Sequence, residues 1–255
     1  MQAQTDMKSI IEVAETFLDR AYTYKPSDTH DIDHPFLDSS AAGVSNPDVI
    51  QELNSRNIQL LNIAGQHLLS ILDSPEAWEL YKKDRRISLR ESKNPFDILY
   101  MVTKPYRLEF LKAILNLLSK EDFSKIFADV WVYNEGTNHT SAFTQKELIE
   151  LFSSCAPEYL MDEEELEVFR NLPDELTIYR GVTRRRKSNV RVFSWTLSKD
   201  KAEWFSRRPA EPGLPPRTNG VVYQANIKKE HVFAYFAREQ EIIVNPPKLY
   251  NIIEL

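Results

Sequence analysis

The sequence predicts an α+β protein, in which a helical N-terminal part is followed by a small, mainly antiparallel β-sheet unit with one inserted helix. Two observations support this fold class. Up to about residue 170, apolar residues recur at the spacing of about 3.6 that is typical of helices. From Leu176 onwards, the apolar runs are short, β-branched and aromatic, as in strands. The composition, with 42% hydrophobic and 27% charged residues, excludes a largely disordered chain.

The helices of the N-terminal part are predicted from apolar spacing and from the residues at their ends. They cover 8–22, 48–73, a short segment that Pro75 opens behind Ser74, 106–118, 121–133, 145–154 and 162–170. Thr144 and Glu147 have the spacing of a capping box at the start of the helix over 145–154. The Pro, Gly, Ser and Asp residues of 31–47 predict a loop.

Six strands are predicted in the C-terminal part, with the sequences LTIYRG, VRVFSWT, GVVYQANI, HVFAYFA, EIIV and LYNII. Ser198 is expected to cap a helix over KDKAEWFSRR, between the second and third strands. The change of apolar spacing near Leu176 separates the helical part of the chain from a β-core, 172–255.

Composition also excludes several classes of protein. The single Cys155 cannot form an internal disulfide, and no Cys/His cluster has the spacing of a structural zinc site. Six glycines are too few for a glycine-rich dinucleotide-binding fold. Acidic residues occur throughout the first twenty positions, unlike in a signal peptide, and no apolar run approaches the ~18 residues of a membrane helix. We therefore expect a cytoplasmic protein that does not bind membranes.

The net charge of −6 is unevenly distributed along the chain. Residues 170–255 contain 16 Lys and Arg against 9 Asp and Glu, whereas residues 1–169 contain 16 against 29. A basic C-terminal third indicates contact with a phosphate-bearing cofactor, a nucleic acid or the acidic part of the same chain. Two solvated surfaces would explain the charges equally well.

Three short motifs in the predicted sheet contain residues suited to chemistry. Arg180, between Tyr179 and Gly181 at a strand end, would place a guanidinium beside a backbone that a phosphate can approach. An ordinary Arg before a turn is the alternative explanation.

The second motif places Ser194, Thr196 and Ser198 at alternate positions of a strand, where three hydroxyls share one face and can order a carboxylate or a ribose. The third places Glu239 and Glu241 on one face of a strand, so that repulsion raises one pKa. A polar outer face and a solvent-exposed edge pair are the alternatives.

The order of these motifs resembles the Arg-Ser-Glu branch of the NAD-dependent ADP-ribosyltransferases, the cholera-toxin-like or arginine-type branch. The resemblance covers roughly residues 172–255, and the helices from about 121 to 170 would be the helical lobe beside the NAD cleft. It therefore implies a second domain, 121–255, with a helical lobe, 121–171, and a β-core, 172–255. The preceding helical region, 1–120, has no role in the resemblance. Spacings of 14 residues from Arg180 to Ser194 and 47 from Ser194 to Glu241 are short for the family. Trp195 stands where the family has Thr, which leaves the role of Thr196 less defined.

The resemblance implies a split-sheet ADP-ribosyltransferase core with NAD as substrate and no metal. The residues that would bind NAD are Tyr179, Arg180, Gly181, Ser194 and Thr196. Glu241 would stabilise the oxocarbenium-like centre, Ser194 would hold Glu241, and Glu239 would orient or deprotonate the acceptor.

The acceptor is less defined than the reaction. In the family that the motifs resemble, a Glu two residues before the catalytic Glu accompanies arginine modification, so the resemblance implies arginine in a protein through Glu239. The run Arg184, Arg185, Arg186 and Lys187 after the first motif instead suits the phosphates of a nucleic acid, most readily RNA. The layout resembles intracellular bacterial toxins and phage-defence effectors, and such a toxin would need an antitoxin or inhibitor protein. An NAD glycohydrolase and a non-catalytic nucleic-acid or partner-binding module are the alternatives.

The remaining candidate residues receive structural interpretations. His30 and His34 are expected to be solvated in a loop, and no role is assigned to His67, His139 or His231. Trp204 and Phe205 are expected in the core of the inserted helix rather than stacked on nicotinamide.

Overall fold

The computed structural model describes residues 2–24, 32–37, 41–63, 66–70, 75–133, 142–183, 190–209 and 215–255. The chain divides into two compact units, Met1–Asp122 and Phe123–Leu255, called here the first and second units. The boundary expected between the two domains, 1–120 and 121–255, is 120/121.

The first unit contains five helices among the described residues: α1 (Met7–Leu18), α2 (Pro47–Ser55), α3 (Pro75–Glu91), α4 (Pro95–Met101) and α5 (Arg107–Ile114). Its strands are β1 (Thr23–Tyr24), β2 (Ile32–Asp33), β3 (Ala41–Val44), β4 (Leu60–Ile63) and β5 (Gln66–Ser70). Asp6 caps α1, and Asn46 caps α2 with its side-chain oxygen on two backbone N–H groups. Ser74, the predicted cap of α3, lies outside the described residues.

The predicted helix over 48–73 is wrong beyond Ser55. Asn57 takes a left-handed conformation with φ of 55°, which ends α2. The apolar pairs that follow lie in β4 and β5, in the register Leu60↔Leu69 and Leu61↔Leu68, and β3 completes the sheet in the order β3-β5-β4. Short apolar runs fit a strand and a helix equally well, so their spacing could not decide between the two. The predicted loop over 31–47 likewise contains β2 and β3.

The expectation that His34 is solvated is also wrong, because its side chain is 1% exposed. Its Nδ1 accepts the backbone N–H of Phe36 at 3.1 Å, so its Nε2–H donates to the carbonyl of Arg20, also at 3.1 Å. Burial lowers the pKa of His34 to about 4. The imidazole is therefore a neutral part of the first unit's core, where it packs edge-on against Trp78. His30 lies outside the described residues.

The helices of the second unit begin with α6 (Lys120–Tyr133), whose first residues precede the division between the units. They continue with α7 (Gln145–Ser154), α8 (Pro157–Leu160), α9 (Glu163–Arg170) and α10 (Lys199–Arg207). The predicted capping box of Thr144 and Glu147 is confirmed, with both hydrogen bonds present. The predicted cap of α10 is confirmed as well, since the Ser198 side chain accepts the backbone N–H of Lys201.

One six-stranded antiparallel sheet dominates the second unit and confirms the predicted α+β class. Its strands are β6 (Glu175–Val182), β7 (Ser194–Thr196), β8 (Val221–Lys228), β9 (Val232–Phe236), β10 (Glu241–Val244) and β11 (Tyr250–Glu254). Their order in the sheet is β11-β8-β6-β7-β10-β9. β7, which has three residues, is shorter than the predicted strand VRVFSWT.

An aromatic cluster forms a central part of the second unit's core. Its members are Phe127, Trp131, Phe152, Phe193 and Phe233. The rings of Trp131 and Phe152 lie 4.8 Å apart edge to face, and those of Phe152 and Phe233 stack at 5.5 Å. This cluster fixes the position of Trp131 beside the sheet. Within the described part of the chain, no helix has the length and apolar content needed to cross a membrane.

Candidate functional site

The strand order brings the three sequence motifs together. β7 lies between β6 and β10, and Thr196 of β7 pairs with Tyr179 on one side and with Glu241 on the other. Neighbouring strands of a sheet lie about 4.8 Å apart. Arg180, Ser194 and Glu241 therefore occupy three adjoining strands of one sheet, although they are far apart in the chain.

Glu241 is the central carboxyl group of this site. It accepts hydrogen bonds from the side chains of Ser194 and Trp131. Desolvation by burial raises its pKa, and the nearby charge of Glu239 raises the pKa further. The two hydrogen bonds and the charge of Arg180 oppose this rise by favouring the ionised form. The site thus holds a desolvated carboxyl group with two side-chain donors beside it.

Arg180 lies beside this carboxyl group. Its Nη1 donates to the backbone carbonyl of Ser194 at 2.5 Å, which ties the guanidinium to β7. Burial lowers the pKa of Arg180 to about 10, so the group remains charged at neutral pH. Its Nε is buried and has no hydrogen-bond partner among the described residues. A buried donor without a partner is costly, and a ligand or an ordered water is the usual explanation for one.

Thr196 serves the backbone of the site. Its hydroxyl donates to the carbonyl of Glu239 at 2.9 Å and accepts the backbone N–H of Ser198 at 3.1 Å. The backbone N–H of Leu197 donates to the carbonyl of Gln240 at 3.0 Å, and Gln240 is left-handed with φ of 48°. Together these contacts fix the turn from which β10 begins. With both hydrogen bonds in place, the hydroxyl positions Glu241 from behind rather than facing a ligand.

Glu239 lies in that turn, a single 3₁₀ turn over Ala237–Glu239, and not on the strand. The sequence predicts Glu239 and Glu241 on one face of one strand, and this placement is wrong because β10 begins only at Glu241. The expected electrostatic effect is nevertheless found, since the charge of Glu239 raises the pKa of Glu241. The left-handed Gln240 brings the two groups close by a turn instead of by strand alternation.

Gly181 packs against a helix. A Cβ added at this position would lie 1.7 Å from the backbone carbonyl oxygen of Ala202 and 2.7 Å from the backbone nitrogen of Ser206, both in α10. Gly220, immediately before β8, meets the backbone of Ser206 in the same way. The missing side chain at Gly181 is therefore explained by the close approach of α10 to β6. Tyr179 is half-buried in β6, opposite Thr196.

The predicted basic cluster Arg184, Arg185, Arg186 and Lys187 lies outside the described residues. The nearby Arg191 is described, and its Nη1 donates to the carbonyls of Pro246 at 3.2 Å and Leu249 at 3.1 Å. Arg191 thereby holds the segment after β10 in place. Its described contacts are structural.

Two tryptophans have surroundings that the sequence does not predict. Trp131 faces the core, as expected from the apolar spacing of 121–133, and its side chain is also a hydrogen-bond donor to Glu241. Spacing along α6 contains no sign of a partner so distant in the chain. Trp204 was expected in the core and is 58% exposed, so that expectation is wrong.

Comparison with known proteins assigns no identity to this arrangement. No family model, curated protein or solved structure matches the chain. In the described ranges, no group of three or more His, Cys, Asp or Glu side chains is placed to hold a metal ion. The site is thus defined by its own geometry: a desolvated carboxyl group with two side-chain donors, a second acid in the preceding turn, and a guanidinium with one free buried donor.

Proposed function

We propose that the second unit is an NAD-dependent ADP-ribosyltransferase that transfers ADP-ribose to a macromolecule, with RNA as the favoured acceptor. The observation that carries the proposal is the convergence of Arg180, Ser194 and Glu241 on three adjoining strands. The order of the motifs in the chain resembles the Arg-Ser-Glu transferases, and the contacts fit the chemistry that this reaction needs.

The reaction breaks the bond between nicotinamide and ribose. The bond's electron pair leaves with nicotinamide, and positive charge develops on the ribose, as in glycoside hydrolysis. A carboxylate fixed close to that charge stabilises it most effectively in a site without water. Glu241 fits this role, because burial desolvates it and the side chains of Ser194 and Trp131 act on it as hydrogen-bond donors.

Binding and transfer assign roles to two further residues. The unpartnered Nε of Arg180 would donate to a phosphate of NAD, since a guanidinium forms strong charge-assisted hydrogen bonds with phosphate. Glu239 would take the proton of the acceptor hydroxyl or amine as its oxygen or nitrogen bonds to the ribose carbon. The resulting turnover consumes one NAD and releases nicotinamide and one proton.

Nicotinamide release tests the reaction itself. We expect the purified protein to consume NAD, and Glu241→Gln to lose at least about a hundredfold in kcat, as when a group that stabilises transition-state charge is removed. Glu230→Gln is the matched control, since Glu230 is an exposed glutamate of the same unit. A Glu241→Gln variant that folds and turns over NAD like the wild type would refute the proposal.

Labelling of a whole-cell lysate with adenylate-labelled NAD tests the acceptor. Label that ribonuclease removes, and that Glu241→Gln does not produce, supports transfer to RNA. Label that only protease removes would identify protein arginine as the favoured acceptor class, and free ADP-ribose without labelled macromolecules would identify a glycohydrolase. A folded wild type that neither consumes NAD nor labels anything would identify a non-catalytic binding module.

A further inference from the structure

The outer face of α10 exposes a large aromatic side chain. Trp204 is 58% exposed, whereas the chain's other tryptophans, Trp78, Trp131 and Trp195, are at most 8% exposed. The guanidinium of Arg208 lies 5.9 Å from the centre of the Trp204 ring, and Phe205 meets the ring edge-on at 5.0 Å. Surfaces that stack bases use aromatic side chains, to which neighbouring arginines add cation–π contacts.

Two adjoining clefts extend from this tryptophan. The first, of about 540 Å³, contains Trp204 and Arg208, and the second, of about 600 Å³, contains Lys199 and Arg217. The two clefts share Glu203, Arg207 and Pro216, so they form one continuous surface, called here the α10 surface. Its cations are Lys199, Arg207, Arg208 and Arg217, and its acids are Asp200 and Glu203. An excess of cations on a chain of net charge −6 favours a polyanionic partner.

Arg217 has a buried side-chain donor beside the α10 surface. Its backbone N–H donates to the carbonyl of Arg207 at 3.0 Å, and this hydrogen bond holds Arg217 beside the end of α10. Its side-chain Nε is buried and has no hydrogen-bond partner among the described residues. Lys199, in contrast, lies 3.9 Å from Glu203 and is partly neutralised. Arg207 lines both clefts and Arg217 lines the second, so we assign the phosphate contacts to these two cations.

We propose that the α10 surface binds single-stranded nucleic acid, with a base stacked on Trp204 and backbone phosphates on Arg207 and Arg217. Stacking needs an unpaired base, which excludes an intact duplex as the preferred ligand. The inference deepens the proposed function, on which it rests for its purpose, because it assigns the docking site of a nucleic-acid acceptor. Binding itself requires neither NAD nor turnover.

Intrinsic fluorescence provides a direct assay, because only Trp204 among the four tryptophans is accessible to a stacked base. Addition of an unlabelled oligouridylate of about 12 nucleotides to the full-length protein is expected to quench this fluorescence. Trp204→Phe is expected to abolish the quenching. A second assay measures the Kd of a fluorescein-labelled oligouridylate of the same length by fluorescence anisotropy. Trp204→Ala is expected to raise this Kd about tenfold or more.

Arginine variants test the phosphate contacts. Arg207→Gln and Arg217→Gln are each expected to lower the slope of log K against log salt by about one. Tyr159→Ala is the matched aromatic control, since Tyr159 is 36% exposed and Lys125 lies over its ring. Arg170→Gln, in the exposed part of α9, is the charge control. Both controls are expected to leave binding unchanged.

Three outcomes would overturn the inference. They are an absence of quenching by the oligouridylate, equal quenching by an oligoglutamate of similar length and charge, and equal weakening by the control variants. The proposed function fails separately, since a protein that binds the oligonucleotide through Trp204 but never consumes NAD would leave the α10 surface intact and refute only the transferase. Conversely, NAD consumption without oligonucleotide binding would refute only the α10 surface.

Discussion

Gly181 offers a test that separates helix packing from ligand binding. Substitution by Ala places a Cβ 1.7 Å from the carbonyl oxygen of Ala202, where ordinary contacts begin at about 3.4 Å. The obstacle is backbone, so no side chain can rotate away, and α10 must retreat from β6 by more than 1 Å. Overpacking of this kind costs about 1–3 kcal/mol. We expect the upper end of that range, about 3 kcal/mol, because the clash includes two further backbone atoms of α10.

Thermal unfolding followed by tryptophan fluorescence measures the effect, since three of the four tryptophans lie in the second unit. A loss of about 3 kcal/mol lowers the Tm by about 6–12 °C in a chain of this size. Gly43→Ala is the matched control, because a Cβ at Gly43 meets nothing within 4 Å. We expect Gly43→Ala to leave the Tm unchanged or to raise it slightly by restricting the unfolded chain.

The opposite pattern would refute the packing argument. If Gly181 served to let NAD approach the backbone, Gly181→Ala would raise the KM for NAD and leave the Tm at the wild-type value. A variant with wild-type Tm and wild-type KM would refute both explanations of this glycine.

Three further predictions concern the neighbours of Glu241 and the buried His34. Glu239→Gln removes the charge that raises the pKa of Glu241. The acid limb of the pH–kcat profile should therefore move to lower pH. An unmoved limb would contradict an effect of Glu239 on the pKa of Glu241. Trp131→Phe keeps an aromatic ring in the core but removes a donor to Glu241, so kcat at neutral pH should fall about tenfold while the urea midpoint changes little. The folded pKa of His34, about 4, lies below its ordinary 6.5, so the stability it contributes is present above pH 6.5 and lost as pH falls towards 4. The urea midpoint of the wild type should fall as the pH is lowered across that range, and the midpoint of His34→Gln should change less. Equal changes in the two proteins would contradict a neutral buried His34.

A stability measurement complements the activity test of Glu241. Its folded pKa is raised above the unfolded value, so the stability linked to its proton is present below the unfolded pKa and lost as pH rises through the folded pKa. Glu241→Gln should therefore raise the unfolding midpoint at neutral pH while it abolishes NAD cleavage. A lower midpoint would show that the ionised carboxylate stabilises the fold.

The six strands of the second unit could be predicted from the sequence because each is a short β-branched or aromatic run. β8 and β11, for example, correspond to GVVYQANI and LYNII. The same local reasoning failed at 60–70, where leucine pairs fit both a helix and a hairpin, and only pairing with β3 decides between them. Tertiary contacts override local pattern at such positions.

The candidate site divides in the same way. Arg180, Ser194 and Glu241 were identifiable because each lies in a motif within a few residues of a strand. Trp131 was not, because its role depends on the carboxyl group of Glu241, which the fold brings beside it. The structural role of Thr196 was equally hidden, since it depends on a turn that the sequence assigned to a strand.

The turn before β10 links the chemistry of the second unit to its outer surface. Lys201 of α10 donates to the carbonyl of Arg238 at 3.1 Å, and Thr196 connects the carbonyl of Glu239 to the first residue before α10. Glu241 and Trp204 are therefore joined through hydrogen bonds within one unit. Under the proposed function, a nucleic-acid strand whose base stacks on Trp204 would place a nucleotide further along the same strand at Glu241. The distance from the stacked base, and not the base sequence, would then determine which nucleotide is modified. Modified positions would cluster at one number of nucleotides from the stacked base.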